Sequence, residues 1–223
     1  MTTNKNFPKK TLTQKEKNIS LFSFWATFAI TELYAIISGI AYSSQGSAVE
    51  SGLFLSLMSL IVIILGPFLI LSMIMINFST PKKYLPYGIT AAIFMAICVA
   101  ITSGNNYLLL MVNHYPELFN GIFQSFFLPC KWPTPIFIFD NFTWDWFFGI
   151  SILFVTPMFN GDKLTKIIRY AFILSGILCI LGFFLIFVSS QIGILVGTLG
   201  WGAISPIAFL LLAKKFEKIP VQD

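Results

Sequence analysis

Charged residues are scarce in this sequence. Asp, Glu, Lys and Arg make up 10% of its 223 residues, and 57% of the residues are hydrophobic. Ordinary soluble domains carry roughly one quarter charged residues. A chain with so few charges cannot cover a core of this size with a water-facing surface. The composition therefore excludes a soluble globular protein and favours a protein whose solvent is the lipid bilayer.

Residues that build catalytic and metal sites are scarce as well. The chain has one His and three Cys, and Cys98, Cys130 and Cys179 do not show the close paired spacing of a metal site. No zinc-protease, serine-hydrolase or nucleotide-binding motif occurs in the sequence. We therefore expect no metal, no cofactor and no enzymatic activity.

Long apolar runs take the place of such motifs. Six of them predict membrane-spanning helices, at residues 21–42, 52–78, 87–113, 143–159, 170–188 and 192–213. Each is close to the length of about 20 residues that crosses a hydrocarbon layer of about 30 Å. The predicted fold is an all-α polytopic membrane protein, a six-transmembrane-helix bundle. It comprises a basic tail at residues 1–20, one transmembrane domain at residues 21–213 and a second tail at residues 214–223.

The basic residues predict the orientation of these helices. The net charge is +5, but Lys and Arg flank the apolar runs, so nucleic acid is not an expected partner. Placing both tails and the turns at residues 79–86 and 160–169 on one side gathers 13 of the 14 Lys and Arg residues there, and leaves only Lys131 opposite. Because cytoplasmic loops carry the excess of Lys and Arg, we predict a multi-pass protein of the cell membrane with both termini in the cytoplasm.

The outer segment between the third and fourth runs is unusually apolar for a loop. Residues 114–143 contain four prolines, at 116, 129, 133 and 135, so the sequence predicts that no spanning helix runs through them. The same segment is rich in Phe and Ile, which favours folding back on the outer membrane surface, with an interfacial helix near residues 117–128. Trp144 and Trp146 are predicted to lie at the membrane interface.

One carboxylate stands near the middle of the first apolar run. An acidic residue there costs roughly 2.5–3.5 kcal/mol to insert, so such residues normally face the bundle interior or water. Glu32 shares a helical stripe with Phe28, Ala35, Gly39 and Tyr42, and the small members of that stripe let a neighbouring helix approach. Two interpretations remain open. Glu32 is a site for a proton, a cation or a substrate ammonium group, or it is a protonated carboxyl that donates one structural hydrogen bond.

A second polar group is predicted in the outer half of the bundle. Asn105, Asn106 and His114 lie toward the outer end of the third helix, and Asp140 and Asp145 arrive from the outer segment and the fourth helix. Together they can form a polar vestibule open to the outside. The alternative is a solvated helix end with acidic loop residues that simply face water.

Small residues mark the last helix. Gly193 and Gly197 form a G-x-x-x-G motif, which supports close helix packing either within one chain or between two.

The C-terminal half also carries a resemblance. The runs DWFFGISILFVTPMF, YAFILSGILCILGF and GTLGWGAISPIAFLLLAKKF are similar in apolar texture to small, uncharacterised six-helix membrane proteins of bacteria. The resemblance implies a six-helix bundle and no particular activity.

These observations support two functions. The first is a small-solute permease or binding protein for a cationic or amphipathic solute, with a buried carboxylate at mid-membrane. Its candidate substrate- or proton-binding residues are Glu32, Asn105, Asn106, His114 and Asp145. The alternative is a non-catalytic membrane interaction protein, such as a partner subunit, an immunity factor or a scaffold. In that case the residues at 114–143 dock the partner, and the mid-helix carboxyl affects stability only.

Overall fold

The computed structural model describes residue 7, residues 12–45, 52–115, 117, 119 and 126, and residues 132–222. Within these residues, six helices are long and apolar enough to cross a membrane. They are α1 (Gln14–Gln45), α2 (Leu53–Phe78), α3 (Leu85–His114), α4 (Pro135–Met158), α5 (Lys163–Leu185) and α6 (Ser190–Glu217). A short 3₁₀ turn, Lys82–Tyr84, leads into α3. The predicted all-α, six-helix membrane fold is confirmed.

The helices form a closed ring. Each packs against the next along the chain, and α6 returns to pack against α1. The ring is filled by large apolar side chains that are fully buried, among them Met73, Met95, Phe148, Ile152 and Phe172. Neighbouring spans that are joined by short turns run antiparallel, so an even number of them returns the chain to the side from which it started.

Both ends of the chain meet at one end of the ring. Strand β1 (Leu12–Thr13) pairs in parallel with strand β2 (Val221–Gln222). The Lys17 ammonium donates to the backbone carbonyls of Glu217 and Ile219, at 2.9 and 2.8 Å. These carbonyls lie at and just beyond the C-terminus of α6, where a cation also complements the helix dipole.

Two helices that begin at this end carry side-chain caps. Thr13 and Glu16 form a capping box at the start of α1: the Glu16 carboxylate accepts from the Thr13 N–H at 2.9 Å, and the Thr13 hydroxyl accepts from the Glu16 N–H at 3.2 Å. The α5 cap is Asp162, which accepts from the Thr165 N–H at 2.9 Å and pairs with Lys215 at 2.8 Å. The hydrogen bond from Lys215, followed by those from Thr165, lowers the pKa of Asp162 to about 2.

The helix boundaries differ most from the sequence expectations at three helix starts. One is α5, which begins at Lys163 rather than at residue 170. The capping box starts α1 at Gln14, inside the predicted basic tail rather than at residue 21. The fourth span starts at Pro135 rather than at residue 143, so the end of the predicted outer segment is helical. Proline is compatible with a first helical turn because its missing N–H has no partner there. The predicted start of the fourth span at residue 143 is therefore wrong by eight residues. The predicted interfacial helix near residues 117–128 falls mostly outside the described residues.

Both α4 and α6 contain a π-helical segment. The segments are Thr143–Phe148 and Leu199–Ile204, and Trp144 and Trp201 stack across them with ring centroids 5.0 Å apart. Trp144 is only 5% exposed, so its ring packs inside the bundle. The predicted depth of Trp144 and Trp146 at the membrane interface stays a prediction. The π segment of α6 lies just before Pro206, where a wider turn accommodates a residue that lacks an N–H donor.

Glycines bring α5 and α6 into backbone contact. A Cβ built on Gly182 would lie 2.6 Å from the Gly197 nitrogen and 2.9 Å from the Gly193 carbonyl oxygen. The G-x-x-x-G motif is therefore used within the chain, against α5.

Candidate functional site

A cavity of about 320 Å³ opens between α4 and α5, at the end of the bundle remote from the termini. Its walls are almost entirely apolar side chains, and the polar groups among them are an amide and a carboxylate. The lining residues are Trp132, Ile138, Phe139, Asn141, Phe142, Asp145, Phe183, Ile186 and Phe187. We call this cavity the α4–α5 pocket. Its volume lies at the lower end of the range of small-molecule sites.

The carboxylate of the α4–α5 pocket belongs to Asp145. This residue is 1% exposed, and neither of its carboxylate oxygens has a hydrogen-bond partner among the described residues. It lies ten residues after the start of α4, or about 15 Å along a helix of about 36 Å. Burying a carboxylate without a partner costs free energy, which makes Asp145 a candidate functional residue.

The local fold explains how Asp145 is enclosed. It lies inside the π segment of α4, where the extra residue per turn shifts the side-chain register relative to a regular α-helix. On the α6 side it faces Gly197: a Cβ built there would lie 2.6 Å from Asp145 Cγ. Only glycine at position 197 leaves room for this carboxylate between the two helices.

A second carboxylate is satisfied by its surroundings. Asp140 is half-buried and accepts a hydrogen bond from the Thr102 hydroxyl at 2.7 Å. The side chains of Asn105 and Trp144 also approach this carboxylate. Asp140 is close enough to Asp145 for the two charges to interact. The two carboxylates therefore differ. Asp140 accepts a hydrogen bond from the protein, whereas Asp145 has no described donor and lines the α4–α5 pocket.

Two residues of the predicted vestibule, Asn105 and Asn106, lie on α3 near Asp140. Asn106 is buried and donates to the Thr102 carbonyl of its own helix at 2.9 Å. Asn105 lies beside Asp140, and its amide nitrogen has no hydrogen-bond partner among the residues that the structure describes. Asn105 is thus next to the Asp140 carboxylate, and Asn106 contacts Thr102, the residue that donates to Asp140.

His114 lies apart from this group. It is exposed at the C-terminal end of α3, where its ring makes an edge contact with Tyr115 at 4.6 Å between centroids. One residue earlier, Asn113 clamps the start of α2, since its side chain exchanges hydrogen bonds with the Gly52 N–H at 2.8 Å and carbonyl at 2.9 Å. The structure thus places a clamp between the end of α3 and the start of α2 at this point.

The structure corrects the expectation for Glu32. Its helical stripe faces away from the ring: Ala35 and Gly39 are exposed, and nothing lies within 4 Å of a Cβ built on Gly39. The buried stripe of α1 runs instead through Phe24, Thr27 and Thr31. Glu32 is half-buried, with no hydrogen bond or ion pair to any described residue. The carboxylate that the bundle encloses is Asp145.

The bundle axis is closed beside this site. The void bounded by Thr31, Tyr34, Val62, Leu65, Trp144 and Trp201 has a volume of about 10 Å³, room for about one water molecule. The stacked Trp144 and Trp201 line this void, and neither lines the α4–α5 pocket. The described residues contain no group of three or more His, Cys, Asp or Glu placed to hold a metal ion.

Several members of the site were not identified from the sequence. In the sequence Thr102 is an unremarkable residue of an apolar helix, and the aromatic residues Phe183 and Phe187 are expected to face lipid. The sequence signal that pointed to this site was the presence of two acidic residues, Asp140 and Asp145, close to the start of an apolar run.

Comparisons with known proteins assign no family. No family model matches the chain, and no match was found among curated proteins or solved structures.

Proposed function

We propose that this membrane protein is a permease or binding protein for a small amphipathic cation, which it holds at Asp145 in the α4–α5 pocket. The observation that carries the proposal is the enclosed carboxylate, which lacks any described hydrogen-bond partner and borders a cavity of ligand size. Glu32, named first from the sequence, has no place in this site.

The charge of the site favours a cation. A positive group beside Asp145 would supply the partner that the described residues do not provide, in surroundings where an ion pair is only weakly screened. Phe139, Phe142 and Phe183 offer ring faces around the same space, and quaternary ammonium groups bind to such faces. An anionic solute would be repelled by Asp145 and by its neighbour Asp140.

The lining of the pocket favours an amphipathic solute that arrives from the bilayer. Phe139 is 58% exposed and Phe187 is 77% exposed on the outer face of the helices, where lipid surrounds a membrane-spanning bundle. A solute with an apolar body reaches this pocket through lipid, while its charged group stays near the headgroups until it meets Asp145. Because large apolar side chains fill the ring, movement of the solute to the other side requires a rearrangement of α4, whose π segment contains Asp145, and of α6, which faces it.

Binding of benzyltrimethylammonium to the purified protein tests this proposal. We expect Asp145→Asn to raise its Kd at least tenfold, about 1.4 kcal/mol. The uncharged isostere neopentylbenzene should bind the wild type and the variant alike. The matched control is Glu117→Gln, which removes an exposed carboxylate from the same side of the membrane and should leave the Kd unchanged.

The outcomes are distinct. If Asp145→Asn folds and binds the ammonium ion as tightly as the wild type does, the proposal is wrong. Uptake into proteoliposomes then separates two cases: a permease accumulates the labelled cation, whereas a binding protein holds it stoichiometrically without transport.

The alternative function is a non-catalytic membrane interaction protein, with its partner docked on residues 114–143 and Glu32 affecting stability only. It predicts a pocket that binds no cation and a stoichiometric foreign partner after purification in mild detergent. Retention of that partner in Glu32→Leu, with cation binding absent in the wild type, would favour this alternative.

For the membrane orientation we propose that the shared end of the two termini is cytoplasmic. The support is the excess of Lys and Arg at that end. A fluorescent protein that matures only in the cytoplasm, fused after residue 223, should fluoresce, and a dark but full-length fusion would reverse the assignment.

A further inference from the structure

The two carboxyls beside the α4–α5 pocket differ in the support that the protein gives to a negative charge. Asp140 accepts a hydrogen bond from the Thr102 hydroxyl at 2.7 Å, and the Asn105 side chain also approaches it. Asp145 is 1% exposed and has no described donor, yet it is close enough to Asp140 for the two charges to interact. Neighbouring carboxylates that are removed from water repel each other, and one of them takes up a proton. The empty site is therefore most stable with the charge on Asp140 and the proton on Asp145.

No described side chain of positive charge balances Asp145. On α5 the titratable group that interacts with it is Cys179, whose thiol donates to the Gly197 carbonyl at 3.9 Å. On α3 the titratable group beside the pair is Cys98, which interacts with Asp140, and α6 presents Gly197 to the carboxyl. A thiol has no positively charged form here, and the Lys and Arg residues of the described spans lie near the end of the bundle where both termini meet. Within the described residues, only a proton or a ligand admitted by the pocket can balance the charge of Asp145.

A proton and an organic cation compete for the same carboxyl oxygens. A quaternary ammonium ion carries a permanent charge, brings no proton and needs the charged form of Asp145. When it binds, the O–H bond of the carboxyl breaks, the electron pair stays on the oxygen, and the proton leaves to water. The charge of the site is the same before and after, because one positive charge leaves as another enters.

We propose that the cation replaces a proton on Asp145, so that one proton is released for each monovalent cation bound and Asp140 keeps its charge throughout. This exchange rests on the proposed function, since it concerns the same cation and the same carboxylate. A bare carboxylate is costly to carry through a ring that is filled by apolar side chains. In a permease the empty site therefore returns with a proton, and movement of the cation in one direction is coupled to movement of protons in the other.

Proton release during binding tests the exchange. Purified protein in weakly buffered detergent solution is titrated with benzyltrimethylammonium while a dissolved pH indicator reports the protons and calorimetry reports the Kd. We expect about one proton for each bound cation, and a Kd that rises about tenfold for each unit by which the pH is lowered while the empty site holds its proton. Neopentylbenzene, the uncharged isostere, should release no proton and bind alike at every pH.

Two variants locate the proton. Asp140→Asn removes the neighbouring negative charge, so Asp145 gives up its proton more readily. Fewer protons should then be released at neutral pH, and the pH-dependent range of the Kd should move to lower pH. The matched control is His114→Gln, because His114 is the single histidine of the chain, is exposed at the end of α3, and belongs to the residue type that ordinarily titrates near neutral pH. This variant should release protons as the wild type does, and circular dichroism measured alongside shows that each variant is folded.

Infrared spectroscopy gives a readout that needs no ligand. The C=O stretching band of a protonated carboxyl should be present in the empty wild-type protein at neutral pH. Part of this band should be missing in Asp145→Asn, and the same part should disappear from the wild type when benzyltrimethylammonium is added.

The outcomes separate the exchange from the proposed function. A Kd for the ammonium ion that depends on Asp145 but not on pH, with no proton released, would overturn the exchange and leave the proposed function in place. Proton release that disappears in His114→Gln would also overturn the exchange. If benzyltrimethylammonium does not bind to the wild type at all, both proposals are wrong.

Discussion

The glycine contact between α5 and α6 gives a stability prediction with a worked magnitude. In Gly182→Ala the new methyl group would meet the Gly197 nitrogen at 2.6 Å and the Gly197 Cα at 2.7 Å. Both are backbone atoms of the facing helix, so no side chain can move aside and the two helices must separate. Overpacking of this kind costs about 1–3 kcal/mol.

The same substitution also changes the intrinsic preference for helix. Alanine is better than glycine in a helix interior by roughly 0.5–1 kcal/mol. This gain offsets part of the overpacking, so we expect Gly182→Ala to lower the free energy of unfolding by about 1–2 kcal/mol. Gly104→Ala gains the helix preference alone, because no atom lies near its built Cβ, and should raise stability by about 0.5–1 kcal/mol.

Reversible unfolding in mixed detergent micelles, followed by circular dichroism, measures both variants against the wild type. The two substitutions add the same methyl group to the same residue type in a membrane helix, so their difference isolates the tertiary contact. A Gly182→Ala protein as stable as Gly104→Ala would show that α5 and α6 do not approach each other as closely as the structure has them, and the packing argument would fail.

Three further predictions concern other contacts. In Gly197→Ala the new methyl group meets the end of the Asp145 side chain, which can swing toward the α4–α5 pocket. Binding of benzyltrimethylammonium should therefore weaken severalfold, while the unfolding midpoint shifts less than in Gly182→Ala. A larger shift of the midpoint in Gly197→Ala than in Gly182→Ala would contradict this. The folded-state pKa of Asp162 is lowered to about 2, below an unfolded value near 3.9. Its stabilising contribution is therefore complete above about pH 4 and is lost as the pH falls toward 2, so Asp162→Asn should show a smaller loss of stability over that interval than the wild type. Asn113→Ala removes the clamp on Gly52 and should speed amide hydrogen exchange in the first turn of α2 at a cost of about 1 kcal/mol; unchanged exchange there would show that the clamp is not formed.

The two mid-helix carboxyls show where sequence reasoning worked and where it failed. Glu32 was identified because a carboxylate inside 22 apolar residues is conspicuous. The same reasoning assumed that it faces inward, and the structure places it outward. Asp145 was named as part of an outer vestibule, near the start of a run that was predicted to begin at residue 143, and the earlier start of α4 puts it near the middle of that helix.

The reason lies in which residues face lipid. Along α1 the small polar residues Ser23, Thr27 and Thr31 are buried against neighbouring helices, whereas large apolar residues such as Ile36 are exposed. The rule that the polar stripe of a helix faces solvent therefore gives the wrong rotation for this helix. The π segment at Thr143–Phe148 adds to the difficulty, because it changes the angular spacing on which a helical-wheel argument depends. Sequence spacing alone could not have brought Asp145 opposite Gly197, since these residues lie on helices that are not consecutive.

Six membrane spans and the basic end of the bundle can be inferred from the order of the residues, because lipid imposes a local condition. Each stretch of about 20 residues must be apolar and must satisfy its own backbone hydrogen bonds, whatever the rest of the chain does. The folded bundle was needed to show that Asp145 is enclosed while the stripe of Glu32 lies on the outer face of α1. That choice depends on the rotation of each helix against its neighbours, which close glycine contacts and the two π segments set together.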